Sequence, residues 1–410
     1  MPESTPKYDL ILRGGWVIDP ANGRDGPMDV AISGGKIGGV DRRIEGATAK
    51  KDLDVAGLYV TPGLIDLHAH FYGGGGGYKD FEMNPDMYGL PNGTTTVVDA
   101  GGAGWLNYGG FIDHVVHGFK VRVLGLLNIC AHGMHTHHEN DPKSLMPEEC
   151  ARTIRENRSV FVGIKTAHYM QPGYESVDAA VKAGEIAGVP VMMDSWPTDV
   201  RRYPDMILKH LRPGDIHTHF YAQHFPWLEK TPLPLAGGEP STPLPLSGGG
   251  RGWGYKIAPY MWEARKRGVI FDVGHGGGSF WFRIAGPAMA LGFGPDTIST
   301  DAHSGSFYMP RATMPVTISK LLCLGMPLQE AVDRSTRVPA KVIGRADLGT
   351  LSVGAEADVA VFELERAASA ESGFGYVDSG GARMKGDKRL TCAMTIRAGQ
   401  VLFDRDGLSR

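Results

Sequence analysis

Two histidines one residue apart, His68-Ala69-His70, are the first chemically suggestive feature of the sequence. Side chains alternate faces along a strand, so residues i and i+2 project together and this pair can grip one cation. Imidazole and carboxylate are suitable ligands for Zn²⁺ and its neighbours. The spacing recurs at His217-Thr218-His219, where the more distal His219 is the expected ligand and His217 a structural histidine. One such pair alone is a weak signal. The stronger signal is the order in which polar residues close successive apolar runs: His68 and His70, then Lys165, Asp194, His219, His275 and Asp301, with His303 two residues further on.

The middle of the chain has the elements to position such residues. Strand-like runs are expected at 63–70, 94–99, 121–127, 160–165, 189–194, 215–220, 269–273 and 297–301, with amphipathic helical stretches such as 176–187 and 258–267 between several of them. Alternating β and α units imply a parallel sheet. Eight units in this length suit a (β/α)₈ TIM barrel, whose chemistry sits at the C-terminal strand ends. Both termini read instead as short alternating strands bounded by Gly and Pro. The expected fold class is therefore α/β. A small β-sandwich built from residues 1–57 and 345–410 would flank a barrel at 58–344.

Composition narrows the function classes. The 410 residues carry a net charge of −3, which gives no bulk attraction for nucleic acid or anionic membrane. With 42% hydrophobic and 21% charged residues the chain suits a globular core rather than disorder. Met1 to Tyr8 has no apolar segment resembling a signal peptide, and no run of about 20 apolar residues exists, so a cytoplasmic protein is expected. The four cysteines lack the close spacing of a metal knuckle or redox pair and are expected reduced and mostly buried. The 58 glycines are about twice ordinary usage. They cluster at 73–77, 248–250 and 274–278, and the first and last clusters fall at the expected barrel mouth. The cluster at 73–77 opens no helix, so dinucleotide binding is discounted. A near-repeat, Thr231-Pro-Leu-Pro-Leu and Thr242-Pro-Leu-Pro-Leu, reads as a surface insertion, with a lid or an oligomer contact as the functional alternative.

Two further runs add specificity. One is Val60-Thr61-Pro62-Gly63-Leu64-Ile65-Asp66-Leu67-His68-Ala69-His70, and the other is Gly349-Thr350-Leu351-Ser352-Val353-Gly354-Ala355-Glu356-Ala357-Asp358-Val359. With these the chain resembles the amidohydrolase superfamily over nearly its whole length. Residues 211–219, 271–276 and 296–301 resemble its dihydroorotase-like deacetylase branch, whose members are similar to hydrolases of N-acetyl-D-amino acids or acetylated 2-hydroxy acids. The resemblance implies two divalent metal ions, with Zn²⁺ expected. His68, His70 and Asp301 would hold the first, and Lys165 would bridge both as an N-carboxylated lysine. It further implies attack by a metal-bound hydroxide, with Asp301 as general base and acid. The expected reaction is hydrolysis of an amide or ester of a small carboxylate-bearing substrate.

One position departs from the pattern. The family usually has His at the end of the fifth strand, and here the residue is Asp194. Asp194 ligates the second metal, or the second site is weak and one metal suffices, or the site has turned to other chemistry. His275 is expected to polarise the scissile carbonyl, helped or replaced by Tyr169. His168, Tyr169, His275 and Arg201 are the expected substrate-facing residues, and a surface role for Arg201 and Arg202 is equally open. Four histidines at 132–138 read as a substrate-facing or exposed loop. The partners expected are a small-molecule substrate and further copies of the chain, with no nucleic acid and no membrane. The competing readings are a cyclic amidase of the dihydroorotase or hydantoinase kind and a metal-free scaffold.

Overall fold

The computed structural model describes residues 7–46, 48–73, 82–134, 139–194, 204–232, 253–308 and 312–409. Residues from both ends of the chain share one mixed, eight-stranded sheet. The N-terminal part gives β1 (Tyr8–Asp19), β2 (Arg24–Ser33), β3 (Lys36–Asp41), β4 (Ala49–Asp54) and β5 (Tyr59–Pro62). The middle gives the parallel strands β6 (Leu64–Ala69), β7 (Thr94–Gly104), β8 (Arg122–Asn128), β9 (Phe161–Thr166), β10 (Val191–Met193) and β11 (Ile216–His217). A hairpin of β12 (Leu228–Pro232) and β13 (Trp253–Ile257) precedes the last parallel strand, β14 (Ile270–Phe271). The C-terminal part gives β15 (Val359–Arg366), β16 (Phe374–Val377), β17 (Arg383–Gly386), β18 (Lys388–Arg397) and β19 (Gln400–Asp404).

The two chain ends meet where β15 pairs antiparallel with β5, Val359 opposite Pro62. β5 therefore belongs to the terminal sheet, beyond the boundary expected at residue 57. Short strands bounded by glycine were expected at the N-terminus, but the chain continues through Gly14-Gly15 as one strand, with a register irregularity against β2 between Leu12 and Gly15.

The seven parallel strands run in the order β14-β11-β10-β9-β8-β7-β6, which is strictly sequential. The helices follow local rules. Helix Glu175–Ala187 carries Glu175 and Asp178 in its first turn, buries Val177, Ala180, Ala183 and Ala187, and stops at Gly188. Helix Pro259–Arg267 opens on proline and stops at Gly268. One side of the parallel sheet packs Val97, Val123, Leu127 and Ile164 with Phe111, Ile154 and Ala180. A separate cluster joins Leu67, Val98, Leu126, Met192 and Ile216 to Ala340 and Ile343.

The segment expected as an eighth strand, 297–301, forms no extended ladder. It makes single parallel bridges, Thr297 with Asp272 just past β14 and Ala302 with Ala69 at the end of β6. Backbone bonds to Arg334 O, Phe271 O and Val273 N supplement these bridges. The four cysteines form no disulfide. No helix among the described residues is long and apolar enough to cross a membrane.

A charge cluster ties the two sheets together. Arg122, at the start of β8, donates to Asp358 at 2.7 Å and Glu356 at 2.8 Å, and Arg397 contacts the same two carboxylates. Arg122 and Asp358 are largely buried, so loss of Arg122 leaves a carboxylate with only Arg397 to compensate it. Arg122→Ala is expected to lower unfolding stability by about 2 kcal/mol, the range of a hydrogen bond to a charged group, and denaturant titration checks it.

Candidate metal centre

The strand ends bring most of the expected residues together. His70 Nε2 lies 2.9 Å from Asp301 Oδ1, and His68 Nε2 lies 3.4 Å from the same oxygen. His219 Nε2 is 3.8 Å from Asp301 Oδ2 and 3.2 Å from Asp194 Oδ2. Lys165 Nζ sits 2.9 Å from His68 Nε2 and 3.3 Å from Asp194 Oδ2. His68, His219 and Asp301 each offer a ligand atom within 4.8 Å of the others. All of these side chains are buried or nearly so.

The outer nitrogens show which atoms face inward. Thr218 donates its proton to Asp272 at 2.8 Å, so its oxygen accepts from His68 Nδ1 at 2.9 Å. His219 Nδ1 donates to the Gly274 carbonyl at 2.6 Å. In both rings the Nε2 lone pair is thereby aimed at the cluster, the arrangement typical of metal-bound histidine. Two imidazoles with fixed inward lone pairs and two carboxylates make a donor set that fits a divalent cation.

Electrostatics agree with that assignment for Asp301, Asp194 and His68, whereas at His219 a cation must displace a proton. Burial works against the ionised form of Asp301, but His68, His70 and His219 outweigh it and hold the carboxyl well below its usual range. Burial also opposes charge on Asp194, and His219 and Lys165 override it. Burial and the Lys165 charge keep His68 neutral. Burial would lower His219, but Asp194 and Asp301 push it up to about 9, so a proton there competes with a cation.

The backbone pays a conformational cost at this site. His168, His219 and Asp301 have φ of 51°, 63° and 46°, in the left-handed region that non-glycine residues avoid. β11 ends at His217, and the chain then turns through the left-handed His219. His217 instead packs edge-on against Phe225, with ring centroids 4.0 Å apart, as expected of a structural histidine.

His275 is fully buried, and both ring nitrogens are engaged elsewhere: Nε2 with Lys320 Nζ at 2.6 Å, and Nδ1 with the Gly276 carbonyl at 2.9 Å. The carbonyl-polarising role expected of it does not match this placement. His168 is half-buried, and its Nδ1 lies 3.1 Å from Glu139 Oε2. Burial opposes its charge, but Glu139 wins and raises its pKa. Tyr169 beside it is buried. Arg201 and Arg202, His135, His137 and His138, most of the Pro-Leu repeat and Gly74 to Gly77 lie outside the described residues.

Several residues at the site were not legible beforehand. Glu139 is buried and accepts from Asn128 at 3.2 Å as well as contacting His168. Asp272 gathers Thr218, Thr297 and Ser299. Asp66, inside the opening motif, accepts from Thr300 and from the Tyr88 hydroxyl, and burial pushes its pKa up to about 6. The motif spacing could have drawn attention to Asp66. The others are brought in by long-range folding.

Comparison with known proteins places this geometry in a class. An amidohydrolase family model matches residues 324–403. A deacetylase of Agrobacterium fabrum is 31% identical over 346 residues, covering 82% of this chain and 78% of that protein. A deacetylase of Enterococcus faecalis is 29% identical, covering 96% of this chain and 99% of its own. Among solved structures, an adenine deaminase superposes with a TM-score of 0.81 at 27% identity, covering 97% of this chain and all of that one. A dihydroorotase superposes with a TM-score of 0.78, also at 27% identity, covering 96% and 99%. The chain belongs to the amidohydrolase superfamily, and it is a hydrolase acting on C–N bonds.

Gly276 has φ +49°, and a Cβ there would lie 2.2 Å from Asp301 Oδ2. Gly276→Ala is therefore expected to displace Asp301 and weaken cation binding at least about tenfold, the lower range for perturbing a ligand's support. Elemental analysis after dialysis, with circular dichroism as the fold control, checks this.

Proposed function

We propose that this chain is a metal-dependent deacylase, with acetyl the first acyl group to test, acting on the amide or ester of a small carboxylate-bearing substrate. The observation that carries the reading is the convergence of His68, His70, His219, Asp194 and Asp301 around Lys165, with the His68 and His219 lone pairs fixed inward. The deacetylase names of its relatives supply the acyl-transfer direction.

Two divalent cations, zinc the expected metal, would supply a lowered water pKa and polarisation of the scissile carbonyl. His68, His70 and Asp301 would hold one, and Asp194 and His219 the other. Lys165 would bridge them after its neutral amine takes up CO₂, giving a carbamate and releasing one proton. A plain ammonium between two cations would repel both, whereas a carbamate offers them two oxygens. Asp301 accepts the proton from the attacking water and passes it to the leaving amine or alcohol. His168, held by Glu139, is suited to a substrate carboxylate. Tyr169 remains the side-chain candidate for the oxyanion once His275 is set aside, and Arg201 a second carboxylate contact.

The same reading includes a complete (β/α)₈ barrel within the expected 58–344 region, starting at β6 and closed by residues 297–302, flanked by a β-sandwich from the expected 1–57 and 345–410 that also takes in β5. It also places the protein in the cytoplasm. A cyclic amidase is the second reading, favoured by the likeness to a dihydroorotase structure over 96% of the chain. It uses the same ligands, so substrate trials separate the two. A panel of N-acetyl-D-amino acids and acetylated 2-hydroxy acids against dihydroorotate and hydantoins is expected to give turnover with the acetylated set. Turnover confined to the rings overturns deacylation.

Asp301→Asn is expected to keep the fold and much of the metal while kcat falls about 10²- to 10⁴-fold, the usual share of a general base. Full activity in that variant removes the base assignment. Lys165→Ala is expected to lose bound metal, and two ions per chain retained in that variant would rule out the carbamate bridge.

A further inference from the structure

Lys320 takes part in none of these steps, yet it is one of the more completely buried side chains, at 1% exposure. It lies on helix Met314–Cys323, outside the parallel sheet. Among the described residues no carboxylate forms an ion pair with it. Its amine lies 5.7 Å from the ring centre of Phe280 and 6.0 Å from that of Phe282. Its polar contact is His275 Nε2 at 2.6 Å. The imidazole itself stacks on Phe280, with centroids 4.8 Å apart and planes 5° from parallel.

The protons can be placed. Nδ1 of His275 donates to the Gly276 carbonyl, so Nε2 carries the lone pair and accepts from Lys320. Burial and the neighbouring amine keep His275 well below its usual range, which makes it neutral. Burial pushes Lys320 down to about 7, with Asp378 opposing. The amine donates to Nε2 in either of its own protonation states.

The turn 274–276 has two edges that matter to the metal cluster. The Gly274 carbonyl accepts from His219 Nδ1 at 2.6 Å. Gly276 lies against Asp301, leaving no room for a Cβ. Gly274 and Gly276 both have positive φ and offer no side chain to fix the turn. His275 provides the one side chain in this three-residue turn, and Lys320 grips it from the helix behind. An apolar residue would fill the same volume with a smaller desolvation cost. What the amine adds is direction.

We propose that Lys320 and His275 form a positioning pair that fixes the turn 274–276, and through it the His219 ring and the Asp301 carboxylate, for cation binding. Neither residue is a catalytic residue in this assignment. The proposal rests on reading the cluster as a metal centre.

Zn²⁺ alone, titrated into the metal-stripped full chain against a chromophoric chelator, is the probe. Lys320→Met and His275→Phe are each expected to raise the zinc Kd about 10- to 100-fold, the range for loss of a ligand's supporting contact. The reconstituted variants should lose kcat while KM changes less than about threefold, because the substrate contacts remain. The double variant should be no worse than either single one, because both break the same link. His275→Gln keeps an acceptor for the amine and should recover most of the affinity. Stability gives an independent control. Between pH 7 and the ordinary lysine value of 10.5 the folded chain holds fewer protons at Lys320 than the unfolded chain, so stability rises with pH there, and Lys320→Met should flatten that rise. A merely structural lysine would give the flattened slope with zinc affinity unchanged, and that outcome overturns the proposal. Additive losses, or a His275→Gln variant as weak as His275→Phe, overturn it too. Wild-type protein that takes up no zinc overturns the metal reading itself, a result distinct from zinc-binding wild type with an unimpaired Lys320→Met.

Discussion

Everything at this site depends on which nitrogen of each histidine points inward. Imidazole binds a cation only through an unprotonated nitrogen, so the proton must be held on the other side of the ring. Here a threonine oxygen holds the His68 proton and a glycine carbonyl holds that of His219. The threonine can act only as an acceptor toward His68 because Asp272 takes its own proton. A buried carboxylate two bonds removed thus decides the direction of a ligand lone pair. The same carboxylate also gathers Thr297 and Ser299 in the stretch leading to Asp301. Ring orientation and the placement of Asp301 therefore share one anchor.

Much of this plan could be read from the chain itself. The parallel strands announce themselves as apolar runs, and the residue closing each run falls at the same end of the sheet, so His68, Lys165, Asp194, His219 and Asp301 were legible from local sequence alone. The eighth run, 297–301, was read as a strand because it takes the last place in the alternating order of β and α units. Its Thr and Ser residues instead direct hydroxyls at Asp272 and Asp66, and the backbone makes only isolated bridges. Gly14-Gly15 fits the expected pattern of short strands bounded by glycine, but an irregularity within a long strand uses the same residues. The glycines on either side of His275 make room for His219 and Asp301. Lys320 and Glu139 lie 45 and 29 residues from their histidine partners, and nothing in local periodicity connects residues so far apart.

Asp194 changes the charge balance of the cluster. With Asp301 it supplies two formal negative charges near three histidines and one lysine. Its contacts to Lys165 and His219 place it where a second ligand set would be completed. Relative to a histidine, a carboxylate there holds a cation more tightly and leaves it a weaker Lewis acid. Under the proposed reaction, activation of the carbonyl would then lean more on the protein's own groups.

The ligands and the mouth are secured from different directions. Asp66 and Asp272 brace the cluster from within the sheet, while Glu139, His168 and Tyr169 stand on connections above the strand ends. Those connections lie outside the strands that carry His68 and Lys165. Such a division of labour gives evolution a fixed reactive centre and an exchangeable vestibule, which is how one scaffold can recur in proteins named deacetylase, dihydroorotase and adenine deaminase.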